Sequence, residues 1–143
     1  MDTFLTSEKI ETMLKDAPYE PALGIRFMQL TTTPIDGKKI ALIAIKLDKG
    51  KQLIPHLHEV DGEILFPLTK GLLRLGKASN KKDKEGKIVV EWDKPQELIP
   101  CNALTILPGI PHHITAPDDS DCMVLFFLPE THLSVDRKFV TYP

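Results

Sequence analysis

The sequence predicts an all-β fold, a barrel or sandwich of short strands preceded by one short helix. Runs rich in Ile, Val, Leu and Phe recur along most of the chain. Turn signals such as Asp36-Gly37, Lys49-Gly50, Asp61-Gly62 and Pro117-Asp118 separate them at intervals of about 8 to 12 residues. After the N-terminal segment no helical apolar period returns. Twelve prolines suit strand ends and corners.

The elements follow in order. Ile10, Met13 and Leu14 form an i, i+3, i+4 apolar stripe, Ser7 is a good N-cap, Glu8 and Glu11 suit the positive end of a helix dipole, and Pro18 stops the segment. The helix is therefore expected over residues 7–15. Strands are expected over 24–31, 39–48, 51–58, 63–68, 71–76, 87–92, 103–107, 112–116 and 121–129. The length of 143 residues suits one domain: a helical arm over 1–21, a barrel over about 22–130 and a tail over 131–143. The lysine-rich stretch 77–87 has Asp83 and Glu85 interleaved, which dilutes its positive field and reads as a solvated hairpin tip.

Two runs, Ile40 to Ile45 and Met123 to Leu128, are apolar on both faces. A barrel strand with one wet face should alternate, so one face must line the interior and the other must be covered. A homodimer is the expected cover, with the helix and first strand as the alternative.

Chemistry concentrates in His56, His58, Glu63 and His112. Imidazole and carboxylate are ligands for Zn, Mn, Fe, Ni or Cu(II). His56 and His58 are at i and i+2, which on a strand puts both on one face. Glu63 follows after room for a bend, and His112 comes directly after the turn Pro108-Gly109-Ile110-Pro111. A His-x-His triplet alone is a weak signal in a chain with five histidines; its order with Gly50, Glu63 and the Pro-Gly turn is what points to a metal centre.

This combination resembles the cupin family. Gly50, His56, His58, Glu63 and Gly71 fit the first family motif, G-x5-H-x-H-x3,4-E-x6-G, with one extra residue before Gly71. Pro67 lies in that stretch, so a bulge or slipped strand end is expected there. Gly109 and His112 fit the second motif, G-x5-P-x-G-x2-H-x3-N, whereas Cys101, Leu107 and Ala116 stand at its Gly, Pro and Asn positions. The resemblance implies a cupin-type barrel, a double-stranded β-helix or jelly roll, with one divalent ion (Fe, Mn, Ni or Zn) per chain on the four ligands. It does not identify a substrate.

Three neutral imidazoles and one carboxylate leave open positions on a divalent ion. The expected function is a metal-dependent enzyme on a small polar metabolite, with dioxygenase chemistry ahead of isomerase or epimerase. The alternative is a non-catalytic metal-containing module that binds or senses a small ligand. No general acid or base stands out from spacing. Gln52 and Arg74 are the candidate substrate contacts, provided their side chains face inward. His113, adjacent to His112, should point away from the site, and His132 carries no assigned role. A net charge of −2 excludes neither face for small ligands but favours neither nucleic acid nor anionic membrane. The N-terminus shows no secretory pattern, no apolar run can span a bilayer, and two cysteines do not demand a disulfide, so a cytoplasmic location is expected.

Overall fold

The computed structural model describes residues 6–143. Helix α1 spans Ser7–Lys15. Its N-cap is Thr6 rather than Ser7: the Lys9 amide donates to Thr6 Oγ1 at 3.2 Å. Strands follow as β1 (Tyr19–Glu20), β2 (Ile25–Ile35), β3 (Lys38–Leu47), β4 (His56–Leu57), β5 (Glu63–Pro67), β6 (Gly71–Lys82), β7 (Ile88–Trp92), β8 (Gln96–Leu98), β9 (Leu104–Ile106), β10 (His112–Thr115), β11 (Cys122–Pro129) and β12 (Lys138–Phe139).

They form two antiparallel sheets. The first has the order β1-β2-β3-β11-β5-β9, the second β12-β4-β10-β6-β7, with β8 on β6. Strands distant in sequence pair in both, as in β3 with β11 and β4 with β10, which wraps the chain into a barrel rather than a series of hairpins. Between the sheets lies one apolar core built from alternate residues, including Ile43, Ile45, Leu65, Leu73, Ile114, Val124 and Phe126.

Several boundaries differ from expectation for local reasons. Asp36 and Gly37 both have positive φ (49° and 77°), the geometry of a tight hairpin turn that matches strand twist, so β2 extends to Ile35 through its threonines and pairs with β3 from Arg26 onward, with a register shift at Leu30. The lysine-rich segment is a hairpin tip as expected, but β6 runs into it as far as Lys82. The strand expected over 51–58 shrinks to His56–Leu57, with an isolated bridge from Gln52 to Thr115, because Pro55 interrupts the ladder. The extra residue before Gly71 is absorbed after Pro67, where the Leu68 and Thr69 amides both donate to Met123 O, a bulge-like arrangement. Residues 131–143 are more than a tail. They carry part of a 3₁₀ turn (Glu130–Leu133), then β12 on β4, and Val140 bridges Ile88 on β7.

The doubly apolar strands are partly covered by the chain itself. Ile10 and Leu14 of α1 pack with Ala17 on Ala44 and Met123. Farther along the same outer face, the neighbours Phe127 and Ile64 remain exposed at 45% and 44%.

Candidate metal centre

The second sheet supplies three imidazoles. His112 sits directly opposite His56 across the β10–β4 pair, which is why its ring reaches that of His56, at 4.5 Å between centroids. His58 follows β4 by one residue, and the two-residue spacing returns it to the same side, 4.9 Å from His56. Gly109, with φ +79°, makes the turn that a side-chain-bearing residue would strain, and its amide donates to His58 O at 2.6 Å. That bond ties the second motif to the first. Glu63 comes from the other sheet as the first residue of β5. All four side chains are buried.

Each of the three rings has its Nδ1 committed. His56 donates to Ile54 O at 2.7 Å, His112 to Ile110 O at 3.0 Å and His58 to Asp136 O. A carbonyl can only accept, so in the neutral rings the Nδ1 atoms carry the protons and the Nε2 atoms carry lone pairs. One ligand nitrogen from each ring lies within 4.8 Å of the others, a spacing that can hold a metal ion. His112 Nε2 is buried with no hydrogen-bond partner. It lies 3.2 Å from Glu63 Oε1, and His58 Nε2 lies 3.4 Å from Glu63 Oε2. Lone pairs facing a carboxylate at this range repel unless a cation, a proton or a metal ion, lies between them. The donor set therefore fits a divalent ion.

Burial favours the neutral rings. It is the largest influence on His58, whose pKa falls to about 4 although Glu63 pulls it upward. Burial, then the charges of His112 and His58, hold His56 well below its ordinary value. For Glu63, burial pushes the carboxyl up, but the facing imidazoles of His112 and His132, with His58 beyond them, outweigh it and hold it well below the usual range.

Sequence reasoning missed His132. It is buried, stacks on His58 at 3.9 Å, and places Nδ1 3.0 Å from Glu63 Oε2 and Nε2 2.8 Å from Val60 O. Both partners are acceptors, so this ring is suited to donate from both nitrogens. Burial lowers its pKa, but the bonds to Glu63 and Val60 and the charges of Glu63 and Asp136 outweigh it and raise it. His58, Glu63 and His132 form a second group with ligand spacing. Asp136 completes the assembly: its carboxylate accepts from the Glu59 and Val60 amides at 2.8 and 2.9 Å, and its carbonyl orients His58. The signal that could have found this strap is the pairing of a histidine and an aspartate at i and i+4 in a short polar segment after an apolar strand.

The two candidate substrate contacts are not at the centre. Gln52 is exposed and accepts from His113 Nε2 at 2.9 Å. The irregular backbone around Pro55 turns Leu53, not Gln52, inward with His56 and His58. Arg74 is opposite His113 on β10 and donates to Asp93 O. His113 points away from His112 as expected and lies beside Trp92 and Tyr142. The cavity at the centre is walled mainly by apolar side chains from β2, β3 and β11, which departs from the polar surroundings that a small polar metabolite suggests. Cys101 and Cys122 are both free, and burial pushes the Cys122 thiol up to about 11, which leaves it inert.

No family model matches the sequence, and no curated protein matches it either. Solved structures do resemble it in fold. A cupin-2 domain protein of Rhodospirillum rubrum aligns with a TM-score of 0.61 at 16% identity, over 87% of this chain and 73% of that one. The polyketide cyclase RemF of Streptomyces resistomycificus aligns with a TM-score of 0.61 at 16% identity, over 100% of this chain and 88% of that one. A cupin-like protein of Thermotoga maritima gives 0.56 at 15% identity, over 81% and 75%. These likenesses show a barrel of cupin type around the buried His/Glu cluster. This chain has the cupin fold.

Proposed function

We propose that the chain is a metal-dependent enzyme of cupin type, with one divalent ion held by His56, His58, Glu63 and His112. The observation that carries this reading is the trio of imidazoles whose Nδ1 atoms are tied to backbone carbonyls, leaving buried Nε2 atoms converging beside a carboxylate. A bound ion of this kind supplies Lewis acidity toward an oxygen function and, as Fe(II), oxygen chemistry. His56, His58 and His112 hold their lone pairs in place, Glu63 supplies the one negative charge, and His132 fixes Glu63 through Oε2 so that Oε1 stays directed at the imidazoles. The apolar wall would leave little room for water beside a bound ion. Structures of this fold include a polyketide cyclase, so the fold accommodates chemistry on small molecules.

Glu63→Gln tests whether the centre is catalytic. It keeps volume and an oxygen ligand while removing the charge. Small-molecule pools should be incubated with protein loaded with Fe(II), Mn(II), Ni(II) or Zn(II), following O₂ uptake and product mass. Turnover should appear with at least one metal and fall by orders of magnitude in Glu63→Gln even at saturating metal. O₂ uptake assigns a dioxygenase; product without it assigns an isomerase or lyase. Absence of turnover with every metal, together with unchanged ligand binding by the metal-saturated variant, supports a binding or sensor module instead.

The exposed Phe127 and Ile64 support a homodimer through this outer face. Light scattering should give twice the chain mass, and Phe127→Glu should give the monomer. A monodisperse wild-type monomer at high concentration removes the dimer. Two free cysteines are in keeping with a cytoplasmic location.

A further inference from the structure

We infer that Arg137 is the specificity residue of the cavity, selecting a compact anionic ligand with an apolar body, such as a short branched carboxylate. The inference rests on the reading of the metal-centre cavity as the ligand site. Arg137 lines that cavity together with the four proposed ligands, His132 and the apolar wall. Ile25, Ile43, Leu53, Phe126 and Leu133 belong to that wall and offer no polar partner to a ligand. Among the described residues of the lining, Arg137 is the one polar residue besides the imidazoles and Glu63.

Its charge is unanswered. Arg26 pairs with Asp48, and Arg74 donates to Asp93 O. For Arg137 the described residues offer no carboxylate at ion-pair distance; its guanidinium lies 5.5 Å from the Phe139 ring instead. The backbone on both sides is fixed. Asp136 is bonded to the Glu59 and Val60 amides, and Lys138 pairs with Leu57 in the sheet while its ammonium meets Glu59 at 2.8 Å. A held, permanently charged fork at the edge of an apolar cavity is suited to a carboxylate. A divalent ion with one carboxylate ligand adds further positive charge to the same space, so an anion is favoured from both ends. Size follows from the walls. They enclose about 350 Å³ of space between atoms, part of it open to solvent, but leave only about 30 Å³ for the centres of water molecules. The enclosed part is therefore narrow, so the ligand is compact, with its body against aliphatic carbon and the remainder in the part open to solvent.

Isovalerate and its neutral isostere isovaleramide are the probes. Binding is measured by calorimetry and ligand-observed NMR on wild-type, Arg137→Met and Arg137→Lys protein, with and without Zn(II). Wild type should prefer the acid by about tenfold or more. Arg137→Met should lose that preference with unchanged zinc content, and Arg137→Lys should recover part of it. Equal binding of acid and amide by wild type, an unchanged preference in Arg137→Met, or no saturable isovalerate binding up to about 50 mM overturns the inference. If zinc fails to load, the metal reading falls separately, and a preference that still depends on Arg137 in metal-free protein upholds the role of the arginine.

Discussion

Asp136→Ala should release the strap that covers the centre. In the native chain this carboxylate accepts two backbone N–H bonds, from Glu59 at 2.8 Å and Val60 at 2.9 Å. Hydrogen bonds to charged groups contribute about 1.5–3 kcal/mol each when buried. Glu59 and Val60 are exposed, so water replaces part of the loss, and the lower end applies: about 2–3 kcal/mol in total. For a domain of this size that corresponds to a fall in Tm of about 6–9 °C. Asp136→Asn, which keeps an acceptor oxygen without the charge, should lose about half as much. The pH dependence has a definite sign. Burial raises the Asp136 carboxyl, but the Glu59 and Val60 bonds and then the His132 and His58 charges outweigh it and depress the folded pKa. The stabilisation is therefore present above the ordinary value of 3.8 and is lost as pH falls through the lower folded value, so wild type and Asp136→Ala should converge in acid. Because the Asp136 carbonyl also orients His58, zinc affinity should fall by about 10–100-fold. Calorimetry at several pH values and a competitive zinc titration measure both effects. A Tm within about 1 °C of wild type, with unchanged zinc affinity, would refute the anchoring role.

Other outcomes follow from the same geometry. His113 is neutral and buried, its pKa lowered to about 4 first by burial and then by Arg74. A depressed histidine costs nothing above its ordinary 6.5 and destabilises the fold as pH falls from 6.5 toward 4; the 2.5-unit difference sets a ceiling of about 3 kcal/mol, less for solvent screening. His113→Gln should thus flatten the decline in urea stability between pH 6.5 and 4.5, and an unchanged slope would contradict this. Cys101 has φ +68°, a left-handed conformation that favours glycine. Cys101→Gly should therefore raise Tm by about 3 °C, corresponding to about 1 kcal/mol; no gain would mean that the turn relaxes around the side chain. Zinc affinity should hold to lower pH than free imidazoles allow, since burial keeps His58 neutral down to about 4. A steep loss already between about pH 7 and 6 would contradict that protection.

The candidate ligands were legible because their geometry is local. The two-residue spacing of His56 and His58 and the Pro-Gly turn before His112 each place a side chain through a few neighbouring bonds. The barrel was legible from alternation and turns, and the N-terminal helix from its stripe. Even a departure from the family pattern was informative: Cys101 occupies a glycine position whose backbone still takes positive φ. What could not be read depends on contacts that no short window contains. His132 reaches Glu63 from 69 residues away, and Asp136 reaches Glu59 from 77. Both lie in a segment without periodicity. Whether Gln52 faces inward turned on strict alternation with His56 and His58, which Pro55 breaks. The apolar character of the cavity follows from which face of β3 and β11 turns inward, and two faces of equal hydrophobicity hide that choice.

The central claim is most directly tested by metal content per chain in protein purified without a metal-affinity tag, for wild type, His112→Ala, His132→Ala and His113→Ala. Wild type and His113→Ala should hold about one divalent ion per chain after dialysis. His112→Ala should hold almost none, and His132→Ala should bind about 10–100-fold more weakly. Trace metal in wild type after incubation with Zn(II), Mn(II), Ni(II) and anaerobic Fe(II), or equal content in all four proteins, would contradict it.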